Sequence, residues 1–301
     1  MKKDLLSILD AQENIDEILD TAIQMKKQKD QGSKPLTGVI LAMIFEKAST
    51  RTRVSFEAGI KRLGGNAIFL GKNDLQLGRG ETIQDTALVL SRYVDIIMYR
   101  AFKSQDVQDL AQYATIPVIN GLDDKEHPCQ VLADFMTIKE KKGKLSGLNF
   151  VYLGDGDNNM AHSYLLGCPL VGMNIKIVSP KKYWPKPEYV KKARKLGDAR
   201  VEIMENKDRP LKDADIVATD TWVSMGDEQA KQQRLRDFQG YTIDTHLMNQ
   251  AQNTAIFLHC LPAYYGKEVT KEVAHGPQSV IFDEAENRLW AQMAIITWLL
   301  G

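Results

Sequence analysis

The chain has 301 residues, 44% of them hydrophobic, enough to bury a sizeable core and to form two domains of about 150 residues each. Lys plus Arg and Asp plus Glu stand at 39 each, so the formal net charge is zero and no global basic field draws the molecule to nucleic acid or to an anionic membrane. No apolar run approaches the roughly 20 residues that span a bilayer, and Cys129, Cys168 and Cys260 have neither metal-ligand spacing nor a disulfide framework, so a reducing compartment is expected.

The opening MKKDLLSILDAQENIDEILD has basic residues but no apolar signal core, and too many acids for a transit peptide, which points to a cytoplasmic location. Ile15, Ile18, Leu19, Ala22 and Met25 share one face of an early helix. VILAMIF (39–45) is the first apolar run of strand length. Further β-rich runs follow at NAIFLG (66–71), VDIIMY (94–99), IPVI (116–119), LNFVYLG (148–154), NIKIVS (174–179), ARVEIM (199–204), ADIVATD (214–220), TAIFLHC (254–260) and SVIFD (279–283). Helical patterns such as 52–63 and 82–92 lie between them, and strand alternating with helix predicts an α/β protein whose parallel sheets are flanked by helices on both faces. The helix-like CQVLADFMTIKEKKGK (129–144) divides the strands into two groups. The Gly- and Lys-rich KKGKLSG (141–147) then places the domain boundary near residue 145, giving domains 1–145 and 146–301. A last helix over about 284–300 puts Leu289, Met293, Ile296 and Leu300 on one stripe, so it should pack back against protein.

The densest chemistry is in FEKASTRTRVSFE (45–57), where a strand ends and a helix begins. A helix start offers unpaired N–H groups and a positive dipole end; Ser49, Thr50 and Thr52 add hydroxyls and Arg51 a charged fork, so the segment reads as a phosphate cradle. A Ser or Thr helix cap followed by surface arginines is the plain alternative. Arg100 directly follows an apolar strand, the position at which open α/β sheets gather ligands, or where a solvated loop arginine sits. HPCQ (127–130) opens another helix and places His127 and Gln130 where they can donate to a carbonyl oxygen, or cap a turn. Cys260 stands at a strand end in HCLP (259–262), facing a ligand or merely a small buried hydrophobe. LGDGDNNMAHS (153–163) has Gly154 and Gly156 but no third glycine in phase, so a dinucleotide site is a weak reading. Asn158 and Asn159 serve there as cap residues or as amide ligands. TDTWVSMGDE (219–228) brings Asp220, Ser224 and Met225 onto a loop after a strand, where an acid can hold a substrate ammonium and Trp222 can anchor the loop.

Together and in this order, STRTR (49–53), HPCQ (127–130) and HCLP (259–262) resemble the transcarbamylase family. QLGRGE (76–81), DTWVSMG (220–226) and FDEAENRLWAQ (282–292) resemble its ornithine carbamoyltransferase branch, and the likeness runs from about Phe45 to Gln292. The resemblance implies an N-terminal carbamoyl phosphate domain, a C-terminal ornithine domain and an unknotted chain, since the proline-rich insertion of the knotted relatives is missing. It implies self-association as a homotrimer or multiples of it, with sites between subunits.

By the same resemblance Ser49, Thr50, Arg51 and Thr52 hold the phosphate, with Gln76 reaching in from a neighbouring subunit. Arg100, His127, Pro128, Cys129, Gln130 and Arg288 surround the carbamoyl group. Asn159, Asp220, Ser224 and Met225 bind ornithine, and Cys260 with Leu261 borders both substrates. Arg100, His127, Asp220 and Cys260 are the implied catalytic residues. The implied reaction makes citrulline and phosphate in arginine biosynthesis and needs no metal or organic cofactor. A primary amine with a reference pKa of about 10.4 is only about 0.04% neutral at pH 7, so such an enzyme must select the neutral nucleophile.

Overall fold

The computed structural model describes residues 2–29, 34–75, 80–205, 210–223 and 231–301. Gln76, Ser224 and Met225 lie outside the described residues. The chain divides into two compact units, Met1–Met136 with Glu286–Gly301, and Thr137–Ala285.

In chain order the first unit contains α1 (Ile15–Gln28), β1 (Ile40–Phe45), α2 (Thr50–Arg62), β2 (Asn66–Gly71), α3 (Ile83–Leu90), β3 (Ile96–Arg100), α4 (Ser104–Tyr113), β4 (Val118–Leu122) and the start of α5 (Pro128–Lys142). The rest of α5 opens the second unit. β5 (Asn149–Leu153), α6 (Asn159–Leu170), β6 (Asn174–Val178), α7 (Pro187–Ala193), β7 (Val201–Met204) and β8 (Ile216–Thr219) follow, then α8 (Lys231–Asp237), α9 (Thr245–Met248), β9 (Ile256–His259), α10 (Lys271–Ala274) and the first turn of α11 (Ile281–Leu300).

Both sheets are parallel, in the orders β2-β1-β3-β4 and β7-β6-β5-β8-β9. Parallel strands covered on both faces need continuous apolar runs, which explains ILAMIF and IIMYR in the central β1 and β3, buried almost throughout. The edge strand β2 is only half-buried and leaves Ile68 exposed. In the first unit Ala42, Ile44, Ile97 and Tyr99 pack against Ala87, Val107, Leu110 and Ala111 of α3 and α4. In the second, Val151, Leu153, Val217 and Phe257 join Trp222, Phe238 and Tyr241 in one core.

Strand order also says where ligands bind. The chain adds β2 on one side of β1 and β3 on the other, so the crossovers diverge at the carboxyl ends of β1 and β3. Phe45 and Arg100 face each other there. In the second unit β6 and β7 lie on one side of β5 and β8 on the other, so divergence falls between Leu153 and Thr219, beside Asn159 and Asp220.

SVIFD is a correction: Ile281 already begins α11, and the residues before it make only an isolated bridge, Ser279 to Phe257. β-branched and aromatic residues read as strand by propensity, but here they open a helix whose burial outweighs that preference. From Trp290 to Ile296 this helix is buried on every side, more than a single stripe, with Leu289 and Leu300 half-buried. Its second part packs on α2, where the Cβ that Gly59 lacks would lie 3.1 Å from Met293 Cγ.

The glycines of GDGDNN answer to packing rather than to a phosphate. Gly154 adopts φ +148° with Thr219 Oγ1 3.1 Å from where a Cβ would stand, and at Gly156 that atom would meet the Tyr183 carbonyl at 2.8 Å and Ile177 Cγ2 at 3.0 Å. Gly156→Ala is therefore expected to destabilise the protein by about 1–3 kcal/mol in urea titrations. An unchanged midpoint would contradict that packing.

Candidate active site

In the first unit the helix start of α2 is built as expected. Ser49 is its N-cap, accepting the Thr52 N–H at 3.3 Å, and a helix start capped in this way can still serve an anion. Thr50 is exposed and Arg51 half-buried at this end, while Arg53 turns away to lie 3.8 Å from the centre of the Phe69 ring. Arg51 sits where the helix dipole disfavours a cation, which argues that it serves something other than the helix.

Thr52 is buried, and its hydroxyl accepts from Arg288 Nη2 at 3.2 Å; Arg288 Nη1 donates to Gln130 Oε1 at 2.5 Å. Three segments distant in sequence thus meet at one guanidinium. Arg100 is buried at the end of β3, where the pairing with β4 shifts register between Tyr99 and Arg100. Such a bulge re-aims the strand-end side chain. The residue left out of the pairing is Gly121, where an added Cβ would strike Met98 Sδ, and Leu122 takes φ +142° with its N–H held by Asn120 Oδ1.

Pro128 is the first residue of α5, where its missing N–H costs nothing. Cys129 turns inward: its thiol reaches the Asn120 carbonyl at 3.5 Å, and burial pushes its pKa up to about 12, so it is an unreactive packing group. His127 is buried, and burial first, then the charges of Arg288 and Arg100, hold its pKa well below 6.5. It is therefore a neutral imidazole at neutral pH, able to donate a hydrogen bond without carrying charge.

Because the folded chain disfavours the proton on His127 and the unfolded chain does not, the stability this residue contributes is present above the ordinary imidazole pKa and lost as pH falls below it. His127→Gln should flatten that part of the acid loss when urea unfolding is compared at about pH 7.5 and about pH 5.5. Equal losses in both proteins would contradict it.

In the second unit Asn158 caps α6 by accepting the Ala161 N–H at 2.8 Å and donates to the Tyr152 hydroxyl at 2.9 Å, leaving Asn159 half-buried as the first helical residue. Asp220 is buried at the end of β8, where its Oδ1 accepts the Thr221 N–H at 2.7 Å and the Cys260 thiol at 3.2 Å. Burial is the main reason its pKa is raised. Leu261 takes φ +58°, an uncommon conformation held by its N–H donating to His259 Nδ1 at 2.9 Å. Trp222 is buried in the core and its carbonyl accepts from Arg234 Nε at 2.5 Å; Arg234 also pairs with Asp155, whose pKa burial pushes up to about 6.

Ligand-type atoms of Asp220, His259 and Cys260 lie within 4.8 Å of one another, a grouping that could hold a metal ion. Their bonds instead run within the protein. Cys260 donates to Asp220, while the two nitrogens of His259 face the Leu261 N–H and Glu268 Oε1 at 3.3 Å.

A family model described as aspartate/ornithine carbamoyltransferase, carbamoyl-P binding domain, matches residues 3–140, and one described as the Asp/Orn binding domain matches residues 146–299. The ornithine carbamoyltransferase of Methanoculleus marisnigri is 51% identical over 304 residues, covering 100% of this chain and 98% of the relative. The chain belongs to the ornithine carbamoyltransferase family. A catabolic ornithine carbamoyltransferase of Thermoplasma volcanium is 49% identical, covering 100% of this chain and 99% of the relative. The solved ornithine carbamoyltransferase of Pyrococcus furiosus superposes with a TM-score of 0.94 at 47% identity, covering 98% of this chain and 96% of that one.

Within this ornithine carbamoyltransferase fold, three residues beside the site escaped sequence reasoning. Lys47, between β1 and α2, has its pKa lowered by burial and by the charge of Arg100. His259 and Glu268 brace the Cys260–Leu261 turn from behind, Glu268 also accepting the Tyr264 N–H at 2.5 Å. The histidine of HCLP was the available signal for that brace; Glu268 had none.

Proposed function

We propose that the chain transfers the carbamoyl group of carbamoyl phosphate to the side-chain amine of L-ornithine, giving L-citrulline and phosphate in arginine biosynthesis. The observation that carries this reading is the 3.2 Å contact of Cys260 with Asp220: two modest signals 40 residues apart meet at one place, at the strand ends of the unit matching the Asp/Orn binding model. A buried carboxylate there suits an α-ammonium group, and the thiol beside it suits the far amine as that amine gives up its proton. In the first unit Ser49, Thr50, Arg51 and Thr52 take the phosphate, and Arg100, His127, Gln130 and Arg288 the carbamoyl group.

The neutral δ-amine attacks the carbonyl carbon, the bond to the phosphate oxygen breaks, the proton lost by the attacking nitrogen passes to the departing phosphate, and phosphate leaves into the cradle. Negative charge grows on the carbonyl oxygen, where donors fixed beforehand are most effective. Thr52, Arg100 and neutral His127 supply them; a charged His127 would have to be desolvated beside two arginines. The arginines provide the positive charge that the reaction needs, so the reading requires neither metal nor organic cofactor.

The reading includes a homotrimer, or multiples of it, in the cytoplasm. Val54, two residues beyond Thr52, and Ile68 on the edge strand are exposed apolar groups on the carbamoyl phosphate unit, suited to a second copy, with Gln76 of that copy entering the cradle. Among the described residues no helix is long and apolar enough to cross a membrane, and all three cysteines are free thiols, as a reducing compartment allows. An acceptor panel tests the activity: with carbamoyl phosphate, ornithine gives product and putrescine and aspartate do not. Preference for putrescine, which has no α-carboxylate, would contradict the assignment.

A further inference from the structure

The Gln130–Arg288 contact has a carboxylate behind it. Gln130 and Asp134 stand four residues apart on α5 and so share a helix face; Gln130 Nε2 donates to Asp134 Oδ1 at 2.8 Å while its Oε1 accepts from Arg288 Nη1 at 2.5 Å. Thr52, Gln130, Asp134 and Arg288 are 1%, 1%, 0% and 3% exposed. An ionised carboxylate is an expensive group to seal away from water, and a helix that needed only packing here would carry a leucine. We propose that Asp134 is a positioning residue for carbamoyl transfer, acting through Gln130 to aim Arg288.

The reasoning is one of donors and acceptors. A side-chain amide can be turned over, exchanging its oxygen and nitrogen, and the two orientations differ little in shape. A carboxylate accepts only, so Asp134 holds the Nε2 end of Gln130 toward itself and leaves Oε1 toward Arg288. With the amide reversed, its NH2 would oppose the guanidinium, donor against donor, and Arg288 would lose the contact that leaves Nη2 on Thr52. Asp134 itself touches neither substrate in this scheme. The proposal rests on the reading that this cradle binds carbamoyl phosphate, and makes Asp134 part of how that substrate is met.

The test is a double-mutant cycle on the purified full chain. Asp134→Asn keeps the shape but can present its own amide to Gln130, so it removes the preference for one orientation. In an otherwise native chain it should lower kcat/KM for carbamoyl phosphate about 100-fold, the scale of a misplaced catalytic group, with the ornithine KM changed less than about threefold. In a Gln130→Ala chain the same change should cost less than about threefold, because the part through which it acts is already gone. Equal losses in both backgrounds would overturn the proposal, as would a loss confined to ornithine. An Asp134→Asn chain that does not fold is replaced in the same cycle by Asp134→Glu, which keeps the charge and moves it by one methylene, and is read in the same way. A native chain that makes no citrulline defeats the functional reading itself, an outcome distinct from either.

Discussion

An Asp220→Asn enzyme should need about 10- to 150-fold more ornithine for half-maximal rate, while its requirement for carbamoyl phosphate changes less than about twofold. Asn keeps the shape of the side chain and an oxygen for the Thr221 N–H, which lies 2.7 Å from Asp220 Oδ1 in the native chain. What goes is the negative charge that the proposed function sets against the ammonium, and hydrogen bonds to charged groups are worth about 1.5–3 kcal/mol each. Burial already raises the Asp220 pKa, so ornithine affinity should weaken as pH falls through that raised value and the carboxylate takes up a proton. The variant should lack this acid limb. An ornithine KM within about threefold of the native one would mean that the Asp220–Cys260 pair serves the fold and that the amine is held elsewhere.

Arg51→Ala should reduce kcat/KM for carbamoyl phosphate by about 100-fold or more, measured at saturating ornithine, since a guanidinium can make two charge-assisted bonds to a phosphate. Stability should change far less than the kinetics do, because Arg51 is half-buried at a helix end whose dipole opposes its charge. That combination separates a ligand-binding arginine from a structural one. A change of less than tenfold in the kinetics would make Arg51 a surface residue and misplace the cradle.

Parallel strands buried on both faces announce themselves as unbroken apolar runs, which is why β1 and β3 are legible in the amino-acid sequence itself. The run at 279–283 has the same composition and is not a strand, because propensity carries no information about the partner that buries a segment. IPVI shows a smaller displacement. Its strand starts at Val118, after a proline that can accept the Ile97 N–H through its carbonyl but has no N–H of its own to give. The two compact units meet in sequence after Met136, inside α5, whereas the segment at 141–147, the end of that helix and the loop after it, carries the composition of a boundary.

For the site, residues at strand ends and helix starts were legible because their surroundings are local. Ser49 caps its own helix, and Arg100 ends its own strand. Groups that act through pairing across the chain were not. Asp134 is one polar residue on a buried helix until Gln130 and Arg288 are seen beside it, and Glu268 is an ordinary acid until His259 is. Nor does sequence announce the shift of register at Arg100, which leaves Gly121 of the neighbouring strand unpaired in the ladder.

The most direct measurement follows both products of the purified chain supplied with carbamoyl phosphate and ornithine, citrulline by colour reaction and phosphate by release. Carbamoyl transfer gives the two in equal amounts, with phosphate release falling to the spontaneous rate when ornithine is omitted. Phosphate released above the spontaneous rate without matching citrulline, or no citrulline at any ornithine concentration, would contradict the assignment of carbamoyl transfer to ornithine as the activity of this chain.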